Sequence, residues 1–163
     1  MEESVELNKK KLSLKVMSYN RFLMIRYTTA VFFFSNLYWM VFLLYQKSSG
    51  FIIPLLLLGS SLLPIIEQIK LYREPTSNAP LTKIYYKIQL GANFVLITTS
   101  FTPIFKELFF FMNQDKGGKL SAIFILLVGV ILSLIMLQRL TKIQQNQDKQ
   151  YDRVKKYEKL LGI

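Results

Sequence analysis

Four stretches of this chain run for 16 to 19 residues without a charged side chain: residues 27–45, 51–66, 88–105 and 120–137. An α-helix rises 1.5 Å per residue, so 19 residues reach roughly 28 Å. That is close to the ~30 Å hydrocarbon thickness of a bilayer. A net charge of +11 accompanies 52% apolar residues and a positive mean hydropathy, because charge and apolar residues occupy separate blocks. The pattern predicts an all-α fold: an integral-membrane, antiparallel four-helix bundle with a C-terminal cytoplasmic helix.

The expected organisation is a basic N-tail over residues 1–26, a four-span domain over 27–137 and a basic helical tail over 138–163. Spans are expected at about 27–45, 51–69, 88–105 and 120–137, with Glu67 to Ile69 extending the second into the interface. Pro54 suits a first turn, whereas Pro64 is interior and predicts a kink. Residues 70–87 read as a polar connection, with Pro75, Ser77, Asn78 and Pro80 as turn residues. Pro103 is expected to end or bend the third span. Residues 106–112 fit either a further turn of that span or a short interfacial helix, and Gly117-Gly118 fit a flexible turn. Residues 1–16, with alternation at 11–16, allow a short strand or a disordered arm and carry no expected role. No secretory signal pattern is evident.

Orientation follows from the cations. The N-tail, the 67–87 connection and the C-tail hold 17 of the 21 Lys and Arg residues, against four in the other two loops. The positive-inside rule then places both termini in the cytoplasm of a multi-pass cell-membrane protein. The cations alternate with interfacial tyrosines such as Tyr27, Tyr72 and Tyr85, a pattern that predicts contact with anionic lipid and no nucleic-acid partner.

The absence of Cys and His removes thiol nucleophiles, Cys/His zinc sites and histidine-based triads. No phosphate-binding glycine loop or paired carboxylate motif is present, so no enzyme activity, cofactor or metal is expected. No ionisable group interrupts the apolar runs, which weakens a proton-coupled carrier. The intramembrane polar candidates are Asn36, Ser60, Ser61, Asn93, Thr98 and Thr99. They suit interhelical hydrogen bonds or, alternatively, a substrate path. Glu67 is read as an interfacial ion pair with Lys70, or as a catalytic acid. Gly129 and Ser133 form one small-xxx-small step.

In the tail, Leu140, Ile143, Gln147, Gln150, Val154, Tyr157 and Leu161 follow an a/d spacing, and the helix is expected to continue unbroken from the fourth span. It would pair with itself or a partner, or lie on the bilayer with cations such as Lys155 and Lys156 near the headgroups.

The stretches SYNRFLMIRY, IEQIKLY and LQRLTKIQQNQDKQYDRVKKYEK resemble small uncharacterised four-span membrane proteins of Gram-positive bacteria. Such proteins are sometimes labelled as a cellobiose phosphotransferase system component. That component is soluble and carries its phosphoryl group on a histidine, which this chain lacks. The expected function is therefore non-catalytic contact with the membrane, another membrane protein or a second copy, as an accessory subunit or an immunity-type protective protein. The alternative is a small oligomeric channel or facilitator.

Overall fold

The apolar runs form long helices, one of them, Ile52–Arg73, with Pro64 in its interior, and the local breaks come where backbone geometry or capping demands them. The computed structural model describes residues 2–161 except Pro75, and only the backbone of Glu2, Glu3, Ser4, Leu7 and Leu161. Among the described residues the fold is all-helical, without strands. The elements are α1 (Glu2–Asn20), α2 (Leu23–Tyr45), a 3-10 turn (Ser49–Phe51), α3 (Ile52–Arg73), α4 (Pro80–Thr99), α5 (Phe105–Leu108), α6 (Lys116–Gln144) and α7 (Lys149–Leu161). Helix α2 packs on α3, α3 on α4, α4 on α6, and α1 on α7.

Three segments are long and apolar enough to cross a membrane: Leu23–Tyr45, Ser49–Arg73 and Lys116–Leu160. Helix α4 is not among them, because Lys83, Lys87, Gln89 and Asn93 dilute its apolar residues. The interior mixes apolar side chains such as Ile25, Leu43, Phe105 and Met136 with polar ones, and the exterior is rich in apolar residues. Phe34, Leu56, Phe124 and Ile131 face outward, while Asn36, Ser61, Gln68, Asn93 and Ser133 are buried. Such exposed apolar surface is compatible with an apolar surrounding.

The N-tail is a helix, not a strand or an arm. Glu6 and Lys10, one turn apart, form a 2.7 Å ion pair, and the Lys10 hydrogen bond and charge lower the Glu6 pKa from its usual value. The tail does not continue unbroken from α6. Helix α6 stops at Gln144 because Asn146 takes a left-handed φ of 55°. Gln147 N–H then donates to the Lys142 carbonyl at 2.9 Å and Asn146 N–H to that of Ile143 at 3.0 Å. This double closure is the usual way a helix ends on a left-handed residue, and asparagine is the best substitute for glycine there. The a/d ridge is thereby divided. Leu140 and Ile143 are buried in the core, whereas Val154 and Tyr157 are half-buried on α7 and Lys155 and Lys156 are exposed. The Leu161 side chain lies outside the described residues.

Three further expectations are corrected. The 70–87 connection shrinks to residues 74–79, because α3 runs on to Arg73 and Pro80 opens α4; Pro75 itself lies outside the described residues. The third span was placed at 88–105, but its helix begins at Pro80 and ends at Thr99, short of Pro103, which cannot donate and disfavours helix at Thr102. Gly117 and Gly118 belong to the first turn of α6, where the Asp115 carboxylate accepts from Gly118 N–H at 2.7 Å.

Hydrogen bonds join the connections at each end. At the basic end, Arg21 sits in the α1–α2 turn with 5% of its surface exposed. Its Nη2 donates to Asp148 Oδ1 at 2.6 Å and its Nε to both carboxylate oxygens at 3.2 Å. The same guanidinium donates to Ser77 Oγ, Asn146 Oδ1 and the Ile143 carbonyl, each at 3.0 Å. Asp148 also accepts from Tyr151 N–H at 3.2 Å and so caps α7. At the other end, Ser49 Oγ donates to Glu107 at 3.1 Å, linking the first loop to α5.

Candidate functional site

Helices α2, α4 and α6 diverge enough to leave a crevice of about 390 Å³. Its floor is made of amides. Asn36 of α2 and Gln89 and Asn93 of α4 are buried to within a few per cent of completely. The last two lie four residues apart and therefore share one face of α4. Asn36 Nδ2 approaches Gln89 Oε1 at 3.5 Å, a loose bond. Asn93 Nδ2 is buried without a hydrogen-bond partner among the described residues. Gly129 lies against it: a Cβ there would stand 2.6 Å from that nitrogen, so the Asn93 amide would have to move.

The walls are aromatic. Trp39 Nε1–H donates to the Leu108 carbonyl at 2.9 Å, and its ring stacks on Phe109 with centroids 5.5 Å apart. Phe42 stacks on Phe111 at 5.3 Å. The segment 105–112, ambiguous in the sequence, thus folds back as a short helix and turn that closes one side of the crevice. No Asp, Glu, Lys or Arg lines it. It can therefore donate and accept hydrogen bonds within an apolar enclosure, but it holds no carboxylate, amine or guanidinium for acid–base chemistry.

Of the six expected intramembrane polar residues, the crevice unites Asn36 and Asn93, which the sequence alone gave no reason to join. The other four hydroxyls bond back to their own helices. Ser60 donates to the Leu57 carbonyl at 2.7 Å and Ser61 to that of Leu58 at 2.6 Å. Thr98 donates to the Val95 carbonyl at 2.7 Å and Thr99 to that of Leu96 at 2.8 Å. Gly129, read from sequence only as a packing step, lies directly against the Asn93 amide.

Glu67 does not pair with Lys70. Its carboxylate is buried against the start of α4, accepting from Leu81 N–H at 3.0 Å, Thr82 N–H at 2.7 Å and the Thr82 hydroxyl at 2.6 Å. Ala79, at the capping position, has no side chain able to do this. An acid within the latter half of α3 thus satisfies orphan donors and the positive dipole end of α4. Both carboxylate oxygens accept from backbone and hydroxyl donors of the fold. Groups of three or more His, Cys, Asp or Glu able to hold a metal ion are absent among the described residues.

Neither family models, nor curated proteins, nor solved structures match this chain.

Proposed function

We propose that the chain is a four-span cell-membrane protein with both termini cytoplasmic. It would act without catalysis by holding part of another membrane protein, either as an accessory or regulatory subunit or as an immunity-type protective protein. In this reading α2, α3, α4 and α6 form an antiparallel bundle, and the crevice is the holding site. The observation that carries it is the juxtaposition of an unpartnered, buried amide (Asn93) with aromatic walls in a crevice that lacks charged side chains. A partner helix inserting there would bury apolar side chains against the walls and offer a carbonyl or hydroxyl to Asn93.

Helix α4 serves as the third span despite its lower hydropathy, because its polar face is turned onto α2 and α6 and its outer residues, Phe94 and Val95, are exposed apolar ones. Lys83 and Lys87 lie near its start and can reach the headgroups along their stems. The segregation of cations supports the orientation, and the basic helices α1 and α7 would lie near anionic headgroups.

The test is co-purification of the full chain in mild detergent, comparing wild type with Gly129→Val, which fills the crevice. The reading expects a stoichiometric membrane partner lost in the variant, or sensitivity of the variant strain to a membrane-active toxin. Retention of both partner and protection by Gly129→Val would refute it. A second reading, a small oligomeric channel, draws on Gln89 and Asn93 as polar lining. It requires proteoliposome flux that Asn93→Leu abolishes; the backbone-bonded hydroxyls of Thr98 and Thr99 give it less support.

A further inference from the structure

A second groove, of about 300 Å³, lies between α2 and α3 on the side away from the amide crevice. Its polar end is made by Arg26 and Gln68. Gln68 is 8% exposed, and both atoms of its amide, Oε1 and Nε2, lack a partner among the described residues. Arg26 has its guanidinium 3.7 Å from the centre of the Tyr19 ring, and its buried Nε is also unpartnered. Stacking fixes the plane of the cation but leaves its edge free. Beyond this end the groove is apolar, with Phe33, Phe34 and Ile65 along it. The step from Arg26 to Phe33 spans roughly 10 Å of helix.

We infer that this groove binds one anionic phospholipid whose headgroup carries a hydroxyl. The phosphate oxygens would accept from Arg26 Nε–H and from Gln68 Nε2, the headgroup hydroxyl would donate to Gln68 Oε1, and an acyl chain would follow Phe33 and Ile65. Three unsatisfied buried atoms, two donors and one acceptor, match this pattern of acceptors and donor. Unmet, each would cost free energy in the apolar surround. Charge selects an anion, and the apolar continuation of the groove selects a lipid over free phosphate. The inference rests on membrane insertion but not on the role of the amide crevice.

The experiment uses the full chain in phosphatidylcholine vesicles with traces of phosphatidylglycerol, phosphatidic acid or phosphatidylcholine spin-labelled on the acyl chain. At about 0.5 M salt, diffuse attraction to the other cations is largely screened. Wild type should prefer phosphatidylglycerol over phosphatidylcholine by about fivefold, the scale of one cation near the surface. Arg26→Gln should bring the ratio close to one, while Arg73→Gln, at an exposed position, should leave it unchanged. Gln68→Leu should erase discrimination between phosphatidylglycerol and phosphatidic acid.

Should Arg26→Gln fail to insert, Gln68→Glu decides the matter: a carboxylate facing the phosphate must reduce phosphatidylglycerol binding. The proposal is overturned if the wild-type preference vanishes in salt, survives Arg26→Gln, or is displaced by inorganic phosphate. Protein that floats with the vesicles yet shows no lipid preference sinks this inference alone; protein that does not float sinks the four-span reading with it.

Discussion

The Arg21–Asp148 pair offers the most direct test of how the basic end is held. The Arg21 and Asp148 side chains are 6% and 13% exposed, well away from the solvated regime in which ion pairs contribute almost nothing. Breaking a fully buried pair by removing one partner costs about 3–5 kcal/mol. Here Ser77, Asn146 and the Ile143 carbonyl still accept from the guanidinium, so about 2–3 kcal/mol is expected for Asp148→Asn. Asparagine caps a helix about as well as aspartate does, which leaves the ion pair as the main loss. Asp148→Ala removes the cap to Tyr151 as well and should cost about 1 kcal/mol more.

The readout is hydrogen exchange of the α7 amides in the detergent-solubilised full chain. With tenfold per 1.4 kcal/mol, Asp148→Asn should reduce protection roughly 30- to 150-fold, or to the unprotected floor. A cycle with Arg21→Met and Asp148→Leu should show a coupling above about 1.5 kcal/mol. If Asp148→Asn left protection within about threefold of wild type, the pair would behave as a solvated one. The view of Arg21 as the tie between the N-tail, residue 77 and α7 would then be refuted.

Glu67→Ala leaves two backbone donors and the Thr82 hydroxyl unpartnered at the start of α4. It should destabilise the detergent-solubilised protein by about 3 kcal/mol in a denaturant titration followed by circular dichroism, with Glu67→Gln losing about half as much. Lys70→Gln should fall within about 0.5 kcal/mol of wild type in the same titration, since Glu67 does not depend on it. Adjacent glycines at the start of α6 should respond oppositely: a methyl at Gly118 would overlap the Asn113 carbonyl, whereas at Gly117 it meets only the Asp115 side chain at ordinary contact distance. Gly118→Ala should lower the melting temperature, and Gly117→Ala should raise stability by up to ~1 kcal/mol through helix propensity.

The apolar runs located α2, α3 and α6 to within a few residues, because long uncharged stretches leave the backbone no cheaper way to satisfy its polar groups than a helix. The end of α6 was hidden for a specific reason. The expected stop signals are glycine and proline, and the chain stops the helix with Asn146 in the conformation glycine usually takes. The same substitution occurs after α2, where Lys47 has a φ of 55°. Glu67 was noticeable as an acid at the wrong end of a helix, but its compensation came from α4, fourteen residues on, rather than from the neighbouring Lys70. The partnership of Arg21 with Asp148 spans 127 positions, and no local spacing rule reaches that far. Of the crevice, Asn36 and Asn93 were legible as polar residues in apolar runs. Their convergence depends on the rotation of α2 and α4 and on the missing side chain at Gly129.

Helix α4 draws these threads together. It is the least apolar of the four long helices, and it buries Thr82, Tyr85, Tyr86, Gln89, Asn93 and Leu96 along one stripe. Thr82 and Tyr86 of that stripe are satisfied by neighbours. Glu67 takes Thr82, and the Tyr86 hydroxyl donates to the Ile25 carbonyl and meets Thr29, each at 3.0 Å. Gln89 meets Asn36 only loosely, and Asn93 Nδ2 meets nothing. Among the described residues, unmet polar atoms therefore occur at two places on the stripe, the Tyr85 hydroxyl near the capped start and Asn93 Nδ2 at the crevice. Packing alone gains nothing from the Asn93 donor, since leucine at position 93 would remove the cost of an unmet buried group. In the proposed reading a partner completes this amide. Stability and binding then make opposite demands on one residue: Asn93→Leu should stabilise the solubilised protein by about 1 kcal/mol in the same denaturant titration while abolishing partner retention. A variant that lost stability yet kept its partner would show instead that Asn93 belongs to the packing.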